Sequence, residues 1–200
     1  PSHTGGARMP QDNVLVRMAS LINTITNEQP VAEAQDDFPL RPKATVVEAM
    51  GGGSYSTIPT DALIAVDVRL TPAFNEQAAD EYIQAILTAH DAAFKIPETR
   101  RTTMQKHSSE PHFSTPHDSP IRVAMRESIV EITGQEDLPE IICNPSNVGC
   151  FVSKYGVQAL AGYGVPHKGM HALNERADLS ALDEVYSVYK RTCERVLGMP

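Results

Sequence analysis

The sequence predicts an α+β protein in two parts. Residues 1–106 read as a ferredoxin-like, split βαβ layer, and residues 107–200 as a segment of α/β type. Three observations predict this. Hydrophobic periodicity in the first half runs helix, strand, strand, helix, strand. The second half runs strand, helix, strand, Gly-rich loop, helix, which implies a parallel pair of strands. Between them, residues 106–118 shift to Ser, Pro, His and Thr, the composition of a hinge.

Val14, Met18, Leu21, Ile22 and Ile25 recur at helical spacing, so residues 10–26 are predicted to form a helix. Residues 44–50 read as a strand that runs into Gly51-Gly52-Gly53. In residues 61–70, Ile64, Val66, Val68 and Leu70 alternate with Leu63, Ala65, Asp67 and Arg69, the period of a strand with one apolar face. A second helix starts near Glu76, with Asn75 as its cap and Ala79, Tyr82, Ile83, Ile86, Leu87 and His90 as its stripe. A polar strand is expected over residues 98–105. The ferredoxin-like layer also needs a strand ahead of the first helix, which would lie upstream of Pro1. The start at Pro1-Ser2-His3-Thr4, without an initiator Met, likewise reads as a cut from something longer.

Beyond the hinge, Ser119-Pro120 offers an N-cap with Pro at the first helical position. Ile121, Met125, Ile129 and Ile132 form the stripe of that helix and Gly134 closes it. Short strands are expected at residues 140–143 and 157–161, with a helix at 147–155 between them. The Gly-rich loop spans Gly162 to Gly169. The last helix starts near Ser180, with Leu182, Val185, Tyr186, Tyr189, Cys193, Val196 and Leu197 on one face.

A formal charge of −8, with no Lys/Arg run longer than Arg100-Arg101, argues against nucleic acid as a partner. No apolar run approaches bilayer length, so no membrane partner is expected. Cys143, Cys150 and Cys193 are odd in number and lack CxxC spacing. They read as free packing thiols in a reducing compartment, and a cytoplasmic location is expected.

The sequence carries no GxSxG elbow, HExxH, P-loop or strand-linked GxGxxG. Instead, four short segments follow one another in a particular order. Ser2-His3-Thr4-Gly5 precedes Pro10 and Asn13 at the head of the first helix. Gly51-Gly52-Gly53-Ser54-Tyr55-Ser56-Thr57-Ile58-Pro59 precedes Val66-Asp67-Val68-Arg69. Asn144-Pro145-Ser146-Asn147-Val148-Gly149 opens a helix. The loop that begins Gly164-Val165-Pro166-His167-Lys168-Gly169 continues as Met170-His171-Ala172-Leu173-Asn174-Glu175. Taken one at a time, each has an ordinary reading: a solvated His3, an Arg69 paired with Asp67, an Asn147 that caps a helix. His107, His112 and His117 recur every five residues in the hinge and read as a solvated linker, and His90 as a packing residue on its helix.

In this order the segments resemble the zinc-dependent amidohydrolase and exopeptidase family of acetylornithine deacetylase, succinyl-diaminopimelate desuccinylase, aminoacylase and the bacterial glutamate carboxypeptidases. There a dimerising lid domain is inserted into a two-zinc catalytic domain. The resemblance implies that residues 1–106 are the lid, lacking its first strand, and residues 107–200 the C-terminal part of the zinc-peptidase domain. It implies a homodimer through the lid and a small N-acyl amino acid or peptide substrate. His3 would stabilise the oxyanion in the partner subunit's active site. Arg69 would hold the substrate carboxylate as a planar two-pronged donor, and alternation independently puts it off the apolar face. Asn147 would contact substrate, His171 would ligate zinc, and Glu175 would orient that loop as an outer-shell acid.

The sequence departs from the pattern in two places. Ser56 stands where the family has Asn, and Asn147 where it has Asp. The family's His-x-Asp, bridging Asp, Glu-Glu pair and further acidic ligand precede the lid and do not occur in this chain. The chain alone is therefore expected to be inactive. The alternative class is a non-catalytic dimerisation or binding module, or a degenerate relative.

Overall fold

Asn13 begins the first helix by lending its side-chain oxygen to the Leu15 amide (2.9 Å), which gives one orphan donor of the first turn an acceptor. Helix α1 (Val14–Asn27) then buries Leu21 and Ile25 on one face. The computed structural model describes residues 2–6, 12–35, 38–142 and 147–199. It divides into two units, residues 1–112 and 113–200.

In the first unit, β2 (Lys43–Gly51) and β4 (Ala62–Arg69) form an antiparallel ladder running from Lys43↔Arg69 to Gly51↔Ala62. The register shifts between Val46 and Glu48, so Val47 is the extra residue of a β-bulge. Asn75 caps α2 (Glu76–Ala93) as expected, accepting from the Ala78 amide at 3.0 Å. Leu21, Ile25, Ala44, Ile86 and Leu87 make the core, with Val46, Ile64, Val66, Val68, Tyr82 and Ile83 packed around it. Burial of each such Leu or Ile contributes about 1.5–3 kcal/mol. A shorter ribbon pairs β1 (Ser2–His3) with β3 (Thr57–Ile58).

Gln29, just past the end of α1, binds the backbone of β2. Its side-chain amide donates to the Ala44 carbonyl and accepts from the Ala44 N–H, both at 3.0 Å.

The strand expected over 98–105 does not form. Glu98–Arg100 is a single 3₁₀ turn. A strand needs a neighbour for its backbone groups, and here the Asp91 carboxylate takes the Thr102 amide (2.8 Å) and hydroxyl (2.7 Å) instead. Among the described residues the helix-covered layer is two-stranded.

In the second unit, Ser119, Pro120 and Gly134 bound α3 (Pro120–Thr133) as the sequence indicated, with Gly134 at φ 70. Helix α5 (Leu182–Leu197) packs on it. The expected stripe of α5 is not its buried face. Val188 and Thr192 are buried, whereas Leu182, Tyr186, Tyr189, Cys193, Val196 and Leu197 are exposed. The buried residues of α5 are Val188 and Thr192, and those of α3 are Ala124, Met125 and Ser128. Arg195 bonded to Glu127 (2.7 Å) and Glu131 (2.6 Å), and Arg191 bonded to Glu131 (3.1 Å), flank the seam.

Neither strand expected at 140–143 or 157–161 is present in the described residues, and Cys143 lies outside them. The Ala159 carbonyl accepts from the Thr115 hydroxyl rather than from a ladder partner. The parallel pair is therefore absent among the described residues.

Most of the hinge, His107 and His117 included, is exposed as expected, but it is anchored at three points. Lys106 bonds Glu76 (2.7 Å) and Asp80 (2.6 Å), His112 stands edge-on to Phe38 (5.8 Å), and Thr115 is buried. His90 is buried against Phe94, as a packing residue should be, and burial lowers its pKa. No helix among the described residues is long and apolar enough to cross a membrane.

Candidate functional site

The β1–β3 ribbon joins two of the segments singled out in the sequence. His3 faces Thr57 across it, and the Thr4 amide donates to the Ser56 carbonyl at 2.9 Å. Ser54 and Thr57 tighten the turn before it through their hydroxyls (2.8 Å). The exposed His3 ring accepts from the Gly5 amide at Nδ1 (3.0 Å). In the neutral ring that acceptor role leaves the hydrogen on Nε2, so the outer nitrogen is a donor.

Arg69 ends β4 at the Lys43 end of the ladder. The ribbon joins the chain a few residues before Ala62, at the other end. Seven steps along a strand separate the ends by about 23 Å. Arg69 Nε bonds Asp67 Oδ1 at 2.8 Å, two residues back on the same face, which orients the guanidinium plane.

In the second unit, Asn147 caps the short α4 (Val148–Ser153), accepting from the Gly149 amide at 2.8 Å. Gly149 lies so close to Phe113 that a Cβ would fall 2.5 Å from the ring. Cys150, the next residue, is a buried free thiol. Residues 144–146 of the same segment lie outside the described residues.

His171 occupies a small hairpin, β5 (His167–Lys168) against β6 (Arg176–Ala177). The loop is tight: His171 (φ 59) and Asn174 (φ 63) both take the left-handed conformation. For a histidine this costs roughly 1–2 kcal/mol, a strain common at functional positions. The Ala172 amide donates to the Gly169 carbonyl, and the Asp178 amide to that of Pro166, both at 2.8 Å. His171 and Glu175 are exposed, with no hydrogen-bond partner among the described residues.

A zinc pair does not fit the described residues by themselves, because nowhere among them do three of His, Cys, Asp or Glu converge as ligands. His171 could give one imidazole. The Arg69–Asp67 pair is the ordinary reading of that segment, but sequence reasoning missed Tyr163, Glu184 and Tyr189 at the base of the His171 loop. Periodicity places Tyr189 on one face of the last helix and says nothing of its hydroxyl.

Comparisons with known proteins give the chain its relatives. The chain is 24% identical over 183 residues to succinyl-diaminopimelate desuccinylase 1 of Alteromonas mediterranea, covering 88% of this chain and 44% of that protein. Among solved structures it is similar to an M20 family metallo-carboxypeptidase, Sso-CP2 from Sulfolobus solfataricus, at a TM-score of 0.50 and 26% identity. That match covers 78% of this chain and 35% of the other. The chain thus spans less than half the length of either relative. The model of peptidase family M20/M25/M40 matches from residue 15 to residue 195, through both units, and the chain belongs to that family.

Proposed function

We propose that the complete protein hydrolyses an amide or peptide bond beside a free carboxylate, in N-acyl amino acids or small peptides. The observation that carries this is the ribbon that sets His3 against Ser56–Thr57 with its outer nitrogen as a donor. A donor held on backbone hydrogen bonds suits the charge that develops on a carbonyl oxygen under attack. Arg69, braced by Asp67, would take the carboxylate. A desuccinylase and a carboxypeptidase among the relatives support an acyl or peptide amide as substrate.

His3 lies in the ribbon whose β3 strand precedes Ala62, whereas Arg69 ends the ladder at its far end. That arrangement favours sites shared between two copies, with His3 serving its partner and residues 1–106 acting as a ferredoxin-like, dimerising lid. His171 would contribute one ligand to a two-zinc centre, Glu175 would orient its loop, and the remaining ligands and the general base would come from polypeptide beyond this chain. Leu182, Tyr186, Val196 and Leu197, exposed along α5, support this, since a solvent-facing apolar stripe of that size marks a surface that is covered elsewhere.

The test uses the complete protein on N-acyl amino acids and dipeptides, with and without chelator, beside the 200-residue chain. Chelator-sensitive turnover by the complete protein alone is expected. No turnover on any free-acid substrate refutes the reading. Sedimentation at micromolar concentration should give a dimer, and a monomer would remove the role of His3 in trans.

A second reading, a non-catalytic dimerisation module, is favoured by Asn147. Its side-chain oxygen is engaged by the Gly149 amide, so a position that is acidic in the family serves helix capping here. An intact His-x-Asp and Glu-Glu in the rest of the protein would exclude this reading.

A further inference from the structure

The segment that leads to His171 is tied to α5 at its base by side chains outside the site described above. Gly162 sits at φ 101, and a Cβ there would fall 2.1 Å from the Tyr189 hydroxyl oxygen, so glycine is required for the approach. The next residue is held twice. The Tyr163 amide donates to the Tyr189 hydroxyl (3.1 Å), and the Tyr163 hydroxyl donates to Glu184 Oε1 (2.7 Å). The bond to Glu184 raises the Tyr163 pKa, with burial adding to it, which keeps the phenol a donor at neutral pH. From this anchor only Gly164 and Val165 separate Tyr163 from Pro166, whose carbonyl accepts from Asp178 and closes the hairpin.

We propose that Tyr189 and Glu184 are positioning residues: they clamp Gly162–Tyr163 to α5 and thereby set where the His171 hairpin stands. This deepens the proposed function and rests on it for the importance of His171, but the clamp itself is a property of the fold. Gripping both the backbone and the side chain of one residue fixes rotation as well as distance. A loop held in this way keeps a ligand-bearing turn in register without adding a strand to it.

Amide exchange by NMR on the 200-residue chain tests it. In Tyr189→Phe, the amides of Tyr163, Ala172 and Asp178 should exchange roughly fivefold faster, while those in α3 and the Tm hold. Glu184→Ala should behave similarly, and Glu184→Gln, which keeps an acceptor, should restore protection. Gly162→Ala should release the hairpin in the wild-type background and do so less in the Tyr189→Phe background, where the colliding hydroxyl is gone. Unchanged protection at Ala172 and Asp178 in both loss variants would overturn the proposal. So would faster exchange throughout α3, which would make these residues general supports of the unit. The readout needs no metal. If His171 proves not to bind zinc in the complete protein while these shifts are seen, the clamp stands and the assignment of the site falls.

Discussion

Arg69→Lys in the complete protein separates a carboxylate-holding role from a structural one. The Arg69–Asp67 pair is short at 2.8 Å, but its side chains are 48% and 41% exposed. An ion pair this open contributes at most about 1 kcal/mol to stability. Lysine keeps the charge, so the Tm should move by no more than a few degrees. Binding is different, because an ammonium cannot reproduce a planar two-pronged contact. Losing one charge-assisted hydrogen bond costs roughly 1.5–3 kcal/mol, or about a tenfold to hundredfold fall in kcat/KM. The assay compares wild type and variant on a free acid and on its amide. The loss should be confined to the free acid. Equal losses on both substrates, or a fall in Tm of ten degrees or more, would make Arg69 a structural residue and remove the argument for a free carboxylate.

Other consequences concern stability. Gly149→Ala forces a Cβ to 2.5 Å from the Phe113 ring and should destabilise by about 1–3 kcal/mol in thermal melts, with Phe113→Leu restoring part of it. Ser128 is fully buried, and its hydroxyl has no partner among the described residues, so Ser128→Ala should be stabilising by about 1 kcal/mol, read as a rise in Tm. The Glu131 pKa is lowered by its bonds to Arg191 and then Arg195. A carboxylate depressed on folding gives stability that is present above the ordinary carboxylate range and lost as pH falls through the lowered value. Stability of the α3–α5 pair should therefore fall in acid, and Glu131→Gln should flatten that limb in pH-dependent melts.

What was legible in the sequence was whatever a segment decides by itself. Asn75, Ser119-Pro120 and Gly134 bound their helices because capping is local chemistry. The ladder of β2 with β4 was readable because alternation is written into residues 61–70 and the partner strand lies close by. The strands at 98–105, 140–143 and 157–161 were not, because an apolar or β-prone run becomes a strand only with a neighbour to take its hydrogen bonds. Periodicity also did not give the buried face of α5. It locates the apolar stripe, but the buried positions of α5 are Val188 and Thr192, the Thr192 hydroxyl reaching Met125 Sδ on α3 while Arg191 and Arg195 reach across to its glutamates. For the site, the sequence nominated His3 and Ser56 separately, and only the ribbon shows that they are neighbours.

The Gln29 side chain has a consequence for assembly. By giving one donor and one acceptor to Ala44, it stands in for a single residue of a neighbouring strand on the outer margin of β2. A chain arriving at that margin finds the position already taken. It can begin pairing only further along, toward Gly51, and there it meets the bulge at Val47. A stopper at one end and a kink just past it leave few alignments open. The amide of a single glutamine thus acts as a gauge, limiting how far a docking strand can slide before it locks.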